Sequence, residues 1–141
     1  MSKIATSILL LILAAVLGCK SSEPDEQAAV QLEHTDWNLV SLLGKPLQPG
    51  MGEPAHIRFD GAEKGVSGYG GLNQFHGTYQ LSGASLRFGP LTMTRKGGPA
   101  PLMQQESALA QALVKTASWR PAGAGVDLLD AGGAPLVHLA R

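Results

Sequence analysis

The stretch 66–79 constrains the fold more than any other part of the chain, because it joins closely spaced glycines to a strand pattern. In its second half, Phe75, Gly77 and Tyr79 share one parity, and polar residues occupy the positions between them. Side chains two residues apart point to the same face of a strand. The pattern therefore predicts a strand with one buried face, to which Phe75 and Tyr79 contribute.

The first half of the same stretch contains Gly68, Gly70 and Gly71. Glycine adopts positive φ without a steric penalty and lets another backbone approach closely, so these residues predict a tight backbone segment that leads into the strand. Asn73 lies at the junction, where its side-chain amide is expected to bond neighbouring main-chain groups. The role predicted for Asn73 is therefore structural rather than catalytic.

Other segments alternate in the same way at spacings of about 8–12 residues, which favours antiparallel hairpins over βαβ units. The predicted strands are 37–42, 56–60, 74–81, 85–88, 118–120, 126–129 and 136–139. The segment 101–114 is instead rich in helix formers, and Pro101 suits the first helical position. The predicted fold class is mainly β (α+β): an antiparallel sheet or partly closed β-barrel with one helix packed against it.

Two sets of residues recur at three- and four-residue steps in this helix and are predicted to lay one face on the sheet. They are Leu102, Glu106, Leu109 and Leu113, with Met103, Ala110, Val114 and Ala117. Glu106, close to the predicted helix start, is expected to interact with the helix macrodipole or with turn backbone rather than to serve as a general base.

The N-terminus has the layout of a secretory signal peptide: Lys3 precedes an apolar run over 4–18, which ends in small residues. The run is too short to span a bilayer comfortably as a helix. Its final Val-Leu-Gly-Cys, ending at Cys19, resembles a bacterial lipobox, in which the cysteine is acylated and becomes the new N-terminus. The alternatives are an ordinary signal peptide with a chance cysteine, or an uncleaved anchor.

The chain is therefore expected to divide into a signal peptide over 1–18, lipidated Cys19 with a flexible tether over 19–33, and one folded domain over 34–141. The tether is mainly polar and would span roughly 20 Å as a flexible coil. The predicted partners are the membrane, through the N-terminal lipid, and an unidentified envelope protein. Lys20 rather than Asp follows the cysteine, which by resemblance to other lipoproteins favours the outer membrane, facing the periplasm.

The charge balance provides no excess of basic residues for binding nucleic acid or anionic lipid. The full chain has 11 basic and 11 acidic side chains, and losing Lys3 with the signal peptide leaves 10 against 11, a net charge of −1. Cys19 is the single cysteine. Its acylation would leave no thiol for a disulfide, a nucleophile or a zinc ligand.

The remaining polar residues form no recognisable catalytic or metal-binding motif. The four histidines lack a short ligand spacing with a third partner, so no metal site and no cofactor are expected. These are His34, His56, His76 and His138, and they are expected to be exposed. The chain has no Gly-x-Ser-x-Gly elbow, and its carboxylates lie mainly in turns. No catalytic residue is predicted.

Together the motifs resemble the META domain family. The resemblance covers about 36–141 and marks seven motif positions: Gly68, Gly71, Asn73, Phe75, Gly77, Tyr79 and Glu106. The motifs are Gly-x-Gly-Gly-Leu-Asn-x-Phe-x-Gly-x-Tyr over 68–79, Thr94-Arg95, and Pro-x-Pro-x-Met-x-x-Glu over 99–106. A Trp-bearing first strand and a closing Leu-Leu-Asp turn complete the pattern.

One departure from the family is informative. Members often have cysteine in place of Leu72 and a second cysteine in place of Gly98, so the resemblance implies that one disulfide is missing here. It also implies a non-enzymatic envelope lipoprotein with a role in stress tolerance, including heat and the antibiotic novobiocin. The alternative is a barrel that holds a small apolar ligand in its mouth. An enzyme is the third hypothesis.

Overall fold

The computed structural model describes residues 32–141, which form ten strands and the helix α1. The strands are β1 Asp36–Leu42, β2 Lys45–Pro46, β3 His56–Asp60, β4 Gly65–Tyr69, β5 Gln74–Ser82, β6 Ser85–Phe88, β7 Thr92–Met93, β8 Ser118–Ala122, β9 Gly125–Leu129 and β10 Pro135–Ala140. The helix α1 is Ala100–Lys115. The predicted signal peptide, Cys19 and the predicted tether up to residue 31 lie outside the described residues. Within 32–141, no helix has the length and apolar character needed to cross a membrane.

The strands pair antiparallel throughout, and the sheet closes on itself. Its order is β10-β9-β8-β6-β5-β4-β3-β1, and β1 pairs in turn with β10. These eight strands form a ring, while β2 pairs with β1 and β7 pairs with β5. The predicted fold class, an antiparallel sheet with one helix packed against it, is confirmed.

The register gives the ring two ends. Asp36, at the start of β1, pairs with Arg58 near the end of β3, and Ala140 at the end of β10 lies beside the same part of β1. We call this the entry end, because the described chain begins there, and it also carries the turns after β3, β5 and β8. The far end carries the loops that follow β1, β4, β6 and β9, and the segment 94–99 that leads into α1.

The inside of the ring is filled with side chains. Ile57 and Phe59 are fully buried, as their alternation predicts, and Trp119 is the largest of the fully buried residues. Both indole N–H groups are bonded: that of Trp37 donates to the carbonyl of Leu32, and that of Trp119 to the carbonyl of Gly83, each at 2.9 Å. The two tryptophans therefore pack in the core and tie it to neighbouring backbone.

The prediction of a tight segment that leads into the strand is correct for 70–73, where Gly71 has φ +110°, and wrong for 66–69, which belong to β4. β4 pairs with β3 on one side and with β5 on the other, so the turn is confined to 70–73. A side chain is excluded at Gly68 because a Cβ there would collide with the Phe75 ring and the carbonyl oxygen of His56. Glycine serves here for close packing between strands.

The folded domain begins earlier than predicted. Leu32 is fully buried and Glu33 is 9% exposed, although both were assigned to the flexible tether. Leu32 packs in the core next to Trp37, whose indole bonds the Leu32 carbonyl. The polar composition of the preceding residues concealed this boundary, because one buried leucine and one paired carboxylate are sufficient to dock the chain.

The helix packs one face against the sheet, as predicted, but of the two predicted sets only the first is buried in that face. Its buried residues are Leu102, Glu106, Leu109, Ala112 and Leu113. Met103 and Val114, predicted to lie against the sheet, are 50% and 63% exposed. Each follows a buried residue by one position, which rotates it about 100° around the helix axis and away from β6, β10 and β1.

Candidate functional site

A buried carboxylate organises the far end of the ring. Glu106 lies in the second turn of α1 and is 5% exposed. Its Oε1 accepts hydrogen bonds from the backbone N–H of Leu72, at 2.9 Å, and from that of Asn73. Its Oε2 accepts a bond from the side-chain amide of Asn73 at 2.7 Å. The helix is thereby fastened to the turn between β4 and β5.

Asn73 extends the same network to the segment that precedes the helix. Its Oδ1 accepts from the hydroxyl of Thr94 at 2.9 Å and from the backbone N–H of Lys96 at 2.7 Å. Its Nδ2 also donates to the Lys96 carbonyl at 3.1 Å. Three separate parts of the chain meet at this one amide: the turn 70–73, the segment 94–96 and α1.

A second layer of bonds adds the long loop after β2. Gln105 donates to the Gly70 carbonyl at 3.2 Å and accepts from the backbone N–H of Gln48 at 2.6 Å. The Tyr69 hydroxyl lies 2.7 Å from the Met51 carbonyl oxygen and 2.9 Å from that of Gly71. Gly71 itself has φ +110°, a conformation that side-chain-bearing residues rarely adopt. The turn and the loop are therefore held in one arrangement.

The hydrogen bonds of Glu106 hold the turn between β4 and β5 in place. Both oxygens of Glu106 already accept hydrogen bonds from groups that cannot leave without opening the far end. In the described part of the chain, no buried side-chain polar atom lacks a hydrogen-bond partner. Glu106 acts here as a clamp. Of the two roles predicted for it, bonding to turn backbone describes its contacts. The macrodipole role does not apply in the first turn of α1, because that turn contains no acidic residue.

Two depressions flank the segment 94–97 at the far end. One, of about 300 Å³, lies between this segment and the exposed side of α1, where Met103 and Ser107 line it. The other, of about 490 Å³, lies between the segment and the loop 51–53. Thr94 and Lys96 line both, so the segment forms a ridge between the two depressions.

A smaller polar cluster closes the entry end. The Tyr79 hydroxyl donates to Glu33 Oε1 at 2.6 Å, and the ammonium of Lys64 lies 2.6 Å from the same oxygen. Burial raises the pKa of Tyr79 above its ordinary value, and the Glu33 carboxylate raises it further. Burial also raises the pKa of Glu33, but hydrogen bonds from Lys64 and Tyr79 outweigh it and hold that pKa below its ordinary value. Glu33 is therefore ionised and latched to the ring.

The seven motif residues thus fall into three places. Gly71, Asn73 and Glu106 come together at the far end, Tyr79 belongs to the latch at the entry end, and Gly68, Phe75 and Gly77 lie in the sheet between them. Cys19 lies outside the described residues. Sequence reasoning missed Gln105, Tyr69 and the Glu33–Lys64 pair, because their partners are distant in the chain. The sequence signal that could have indicated a role for Gln105 was its position next to Glu106.

The histidines do not converge. Among residues 32–141, no group of three or more His, Cys, Asp or Glu side chains is arranged to hold a metal ion. His76 is exposed, as predicted. His138 is instead partly buried, and its Nδ1 lies 2.8 Å from Asp127 Oδ1, while Arg120 contacts the other oxygen at 3.2 Å. These contacts join β8, β9 and β10.

Comparisons with known proteins agree with this architecture. One solved NMR structure is similar with a TM-score of 0.63 and 25% identity, over 79% of this chain and 92% of that chain. A second NMR structure, of a protein from Burkholderia xenovorans, has a TM-score of 0.63 and 22% identity, over 100% of this chain and 98% of that chain. Among curated proteins, no sequence matches. The family model of the META domain matches residues 30–141, which cover the whole ring and the latch, and the chain belongs to the META domain family.

Proposed function

We propose that this protein is a lipid-anchored, non-enzymatic binding module of the cell envelope, attached to the outer membrane through Cys19 and facing the periplasm. The proposal is supported by one observation: the start of the described chain and the Glu106–Asn73 network lie at opposite ends of the ring. The described chain begins at the entry end with buried Leu32, whereas the Glu106–Asn73 network and its two depressions lie at the far end. An anchor before Leu32 would present the far end away from the membrane.

The packing of the ring supports binding at its surface rather than inside it. Large fully buried side chains such as Phe59, Tyr79 and Trp119 fill the interior. The alternative function, a barrel with a small apolar ligand in its mouth, needs a lined cavity in that space. The far end offers two surface depressions, built on backbone that the Glu106 clamp holds in place.

The biological role that we propose is tolerance of envelope stress, including heat and novobiocin, and it is drawn from the resemblance to the META domain family. A permanent anchor would keep the module at a high local concentration beside envelope partners. Each buried methylene of an acyl chain contributes about 0.8 kcal/mol, and two or three chains make release from the membrane negligible.

The test is growth of a deletion strain under heat and under novobiocin, complemented with wild type, Cys19→Ser, or Asn73→Ala. We expect wild type to restore growth and Cys19→Ser to fail, with a product that is not acylated and is either soluble or unprocessed. Asn73→Ala should fail because the far end loses its three-way junction. If the Cys19→Ser product is processed and partitions into the membrane fraction as wild type does, the lipid anchor is wrong. If the deletion grows like its parent under both stresses, the stress role is wrong.

A further inference from the structure

The depression between the segment 94–97 and α1 has the features of a peptide groove, and we call it the 94–97 groove. One wall is the chain from Met93 to Gly97, and the other is the part of α1 that carries Met103 and Ser107. Its volume is about 300 Å³. The Glu106–Asn73 network lies at its floor, so both walls are fixed relative to each other before anything binds.

The free charge of this groove is positive. Arg95 and Lys96 are both exposed, and neither forms an ion pair with a carboxylate among the described residues. The carboxylate that lines the groove, Glu106, is buried and engaged by hydrogen bonds from Leu72 and Asn73. A partner with negative charge would therefore find two uncompensated cations at the rim.

The wall 93–97 also presents backbone to a partner. The N–H groups of Thr94 and Lys96 point towards β5 and the turn before it, where they bond the Gln74 carbonyl and the Asn73 side chain. Alternate backbone groups of an extended chain point in opposite directions. The intervening N–H of Arg95 therefore faces the other way, and within residues 32–141 it donates no hydrogen bond. An extended peptide can accept a bond at such an edge.

Apolar contact comes from methionine. Met103 is 50% exposed on the helix wall, and Met93 is partly buried on the other wall. Methionine is flexible and polarisable, and it adapts to side chains of irregular shape. This combination of an open backbone edge, two methionines and two free cations suits an amphipathic polypeptide better than a purely ionic surface.

We infer that the 94–97 groove binds an extended, acidic polypeptide segment, with Arg95 and Lys96 pairing its carboxylates and Met93 and Met103 contacting its apolar side chains. This inference rests on the proposed function, because it names the class of partner for the far end. Complementary charge would accelerate the encounter, and the backbone edge would set the register.

The test uses the full-length protein in detergent micelles and a short fluorescent peptide in which Glu alternates with Leu. A second peptide with Lys in place of every Glu is the matched control. We expect the acidic peptide to bind and the basic one to bind at least about ten-fold more weakly, with affinity for the acidic peptide falling as salt is added. Amide resonances of Arg95 and Met103 should shift on binding.

The double variant Arg95→Glu with Lys96→Glu should lower the affinity for the acidic peptide by about ten-fold or more. Met103→Glu should lower this affinity as well. Arg87→Glu reverses one charge at an exposed position of β6, outside the groove, and should leave affinity within about two-fold.

Equal affinity for the two peptides, or an unchanged affinity in the double variant, would overturn the inference. Binding to vesicles of phosphatidylglycerol and phosphatidylcholine without peptide binding would assign the groove to lipid and overturn it too. Neither result would affect the anchor or the stress phenotype, which the Cys19→Ser complementation tests separately.

Discussion

Leu72 and Gly98 occupy one volume at the far end of the ring: a Cβ atom on Gly98 would lie 2.8 Å from Cδ1 of Leu72. Leu72 is 6% exposed, so its side chain fills the space beside a residue that has none. The resemblance to the META domain family implies cysteine at both positions. The two departures from the family pattern are therefore one packing arrangement, in which a large and a small residue replace two of intermediate size.

Gly98→Ala should destabilise the domain, because the added methyl group displaces Leu72 within a packed junction. Overpacking of this kind costs about 1–3 kcal/mol, and urea denaturation measures it. Gly97→Ala is the matched control, since a Cβ there meets nothing within 4 Å. Equal stability of the two variants would show that Leu72 yields without cost.

The double variant Leu72→Cys with Gly98→Cys should form a disulfide on oxidation. The bond would join the turn 70–73 to the segment before α1 and stabilise the oxidised protein by about 2–4 kcal/mol relative to the reduced one. Melting temperature with and without dithiothreitol is the measurement, and mass spectrometry identifies the bond. Persistent free thiols after oxidation would mean that the two backbones are not close enough to bridge.

Glu106→Gln should destabilise the far end although it preserves shape. One of the two terminal atoms becomes an amide nitrogen, which then faces an N–H donor of Asn73 or Leu72 instead of accepting from it. An unmatched buried donor costs about 1–3 kcal/mol, and more where a charge-assisted bond is lost. Exposed Glu63→Gln should change stability by less than about 0.5 kcal/mol. If the two variants unfold at the same denaturant concentration, the clamp is not stabilising.

The Glu33 latch should make stability depend on pH on the acid side. The folded-state pKa of Glu33 is lowered from its ordinary value of 4.5, so the latch contributes fully above that value and its contribution is lost as the pH falls below it. Melting temperatures between neutral pH and the acid range should therefore fall less in Glu33→Gln than in wild type. Glu53→Gln, at an exposed site, is the control. Parallel pH profiles for wild type and Glu33→Gln would contradict the latch.

Gly77→Val should destabilise the domain more than His76→Ala. A Cβ on Gly77 would lie 2.7 Å from the Pro90 carbonyl oxygen and 2.8 Å from Leu91 Cδ2, so the segment after β6 has to move. His76 is exposed and its truncation should cost less than about 0.5 kcal/mol, against about 1–3 kcal/mol for Gly77→Val. Equal melting temperatures would mean that the close approach at Gly77 is not required.

Local pattern was sufficient for most of the secondary structure. The strand containing Ile57 and Phe59 follows directly from its alternation, and the helix from its composition and Pro101, because side-chain parity and helix propensity act over a few residues. The pattern failed at β4, where Gly68 weakens the strand signal. Position 68 needs glycine because the Phe75 ring on the neighbouring strand occupies the space that a side chain would fill. A rule based on neighbouring residues in the sequence does not include that contact.

The sequence by itself determined the fold class, the family and the expected role of Asn73 and Glu106 in holding backbone, since these depend on residue types and spacing. Only the tertiary structure decided that these two residues bond each other, that Leu72 covers Gly98, and that Glu33 is latched to Tyr79. Each pair is separated by at least 26 residues in the chain. Contacts of that kind are created by closure of the ring, which brings distant segments to a common end.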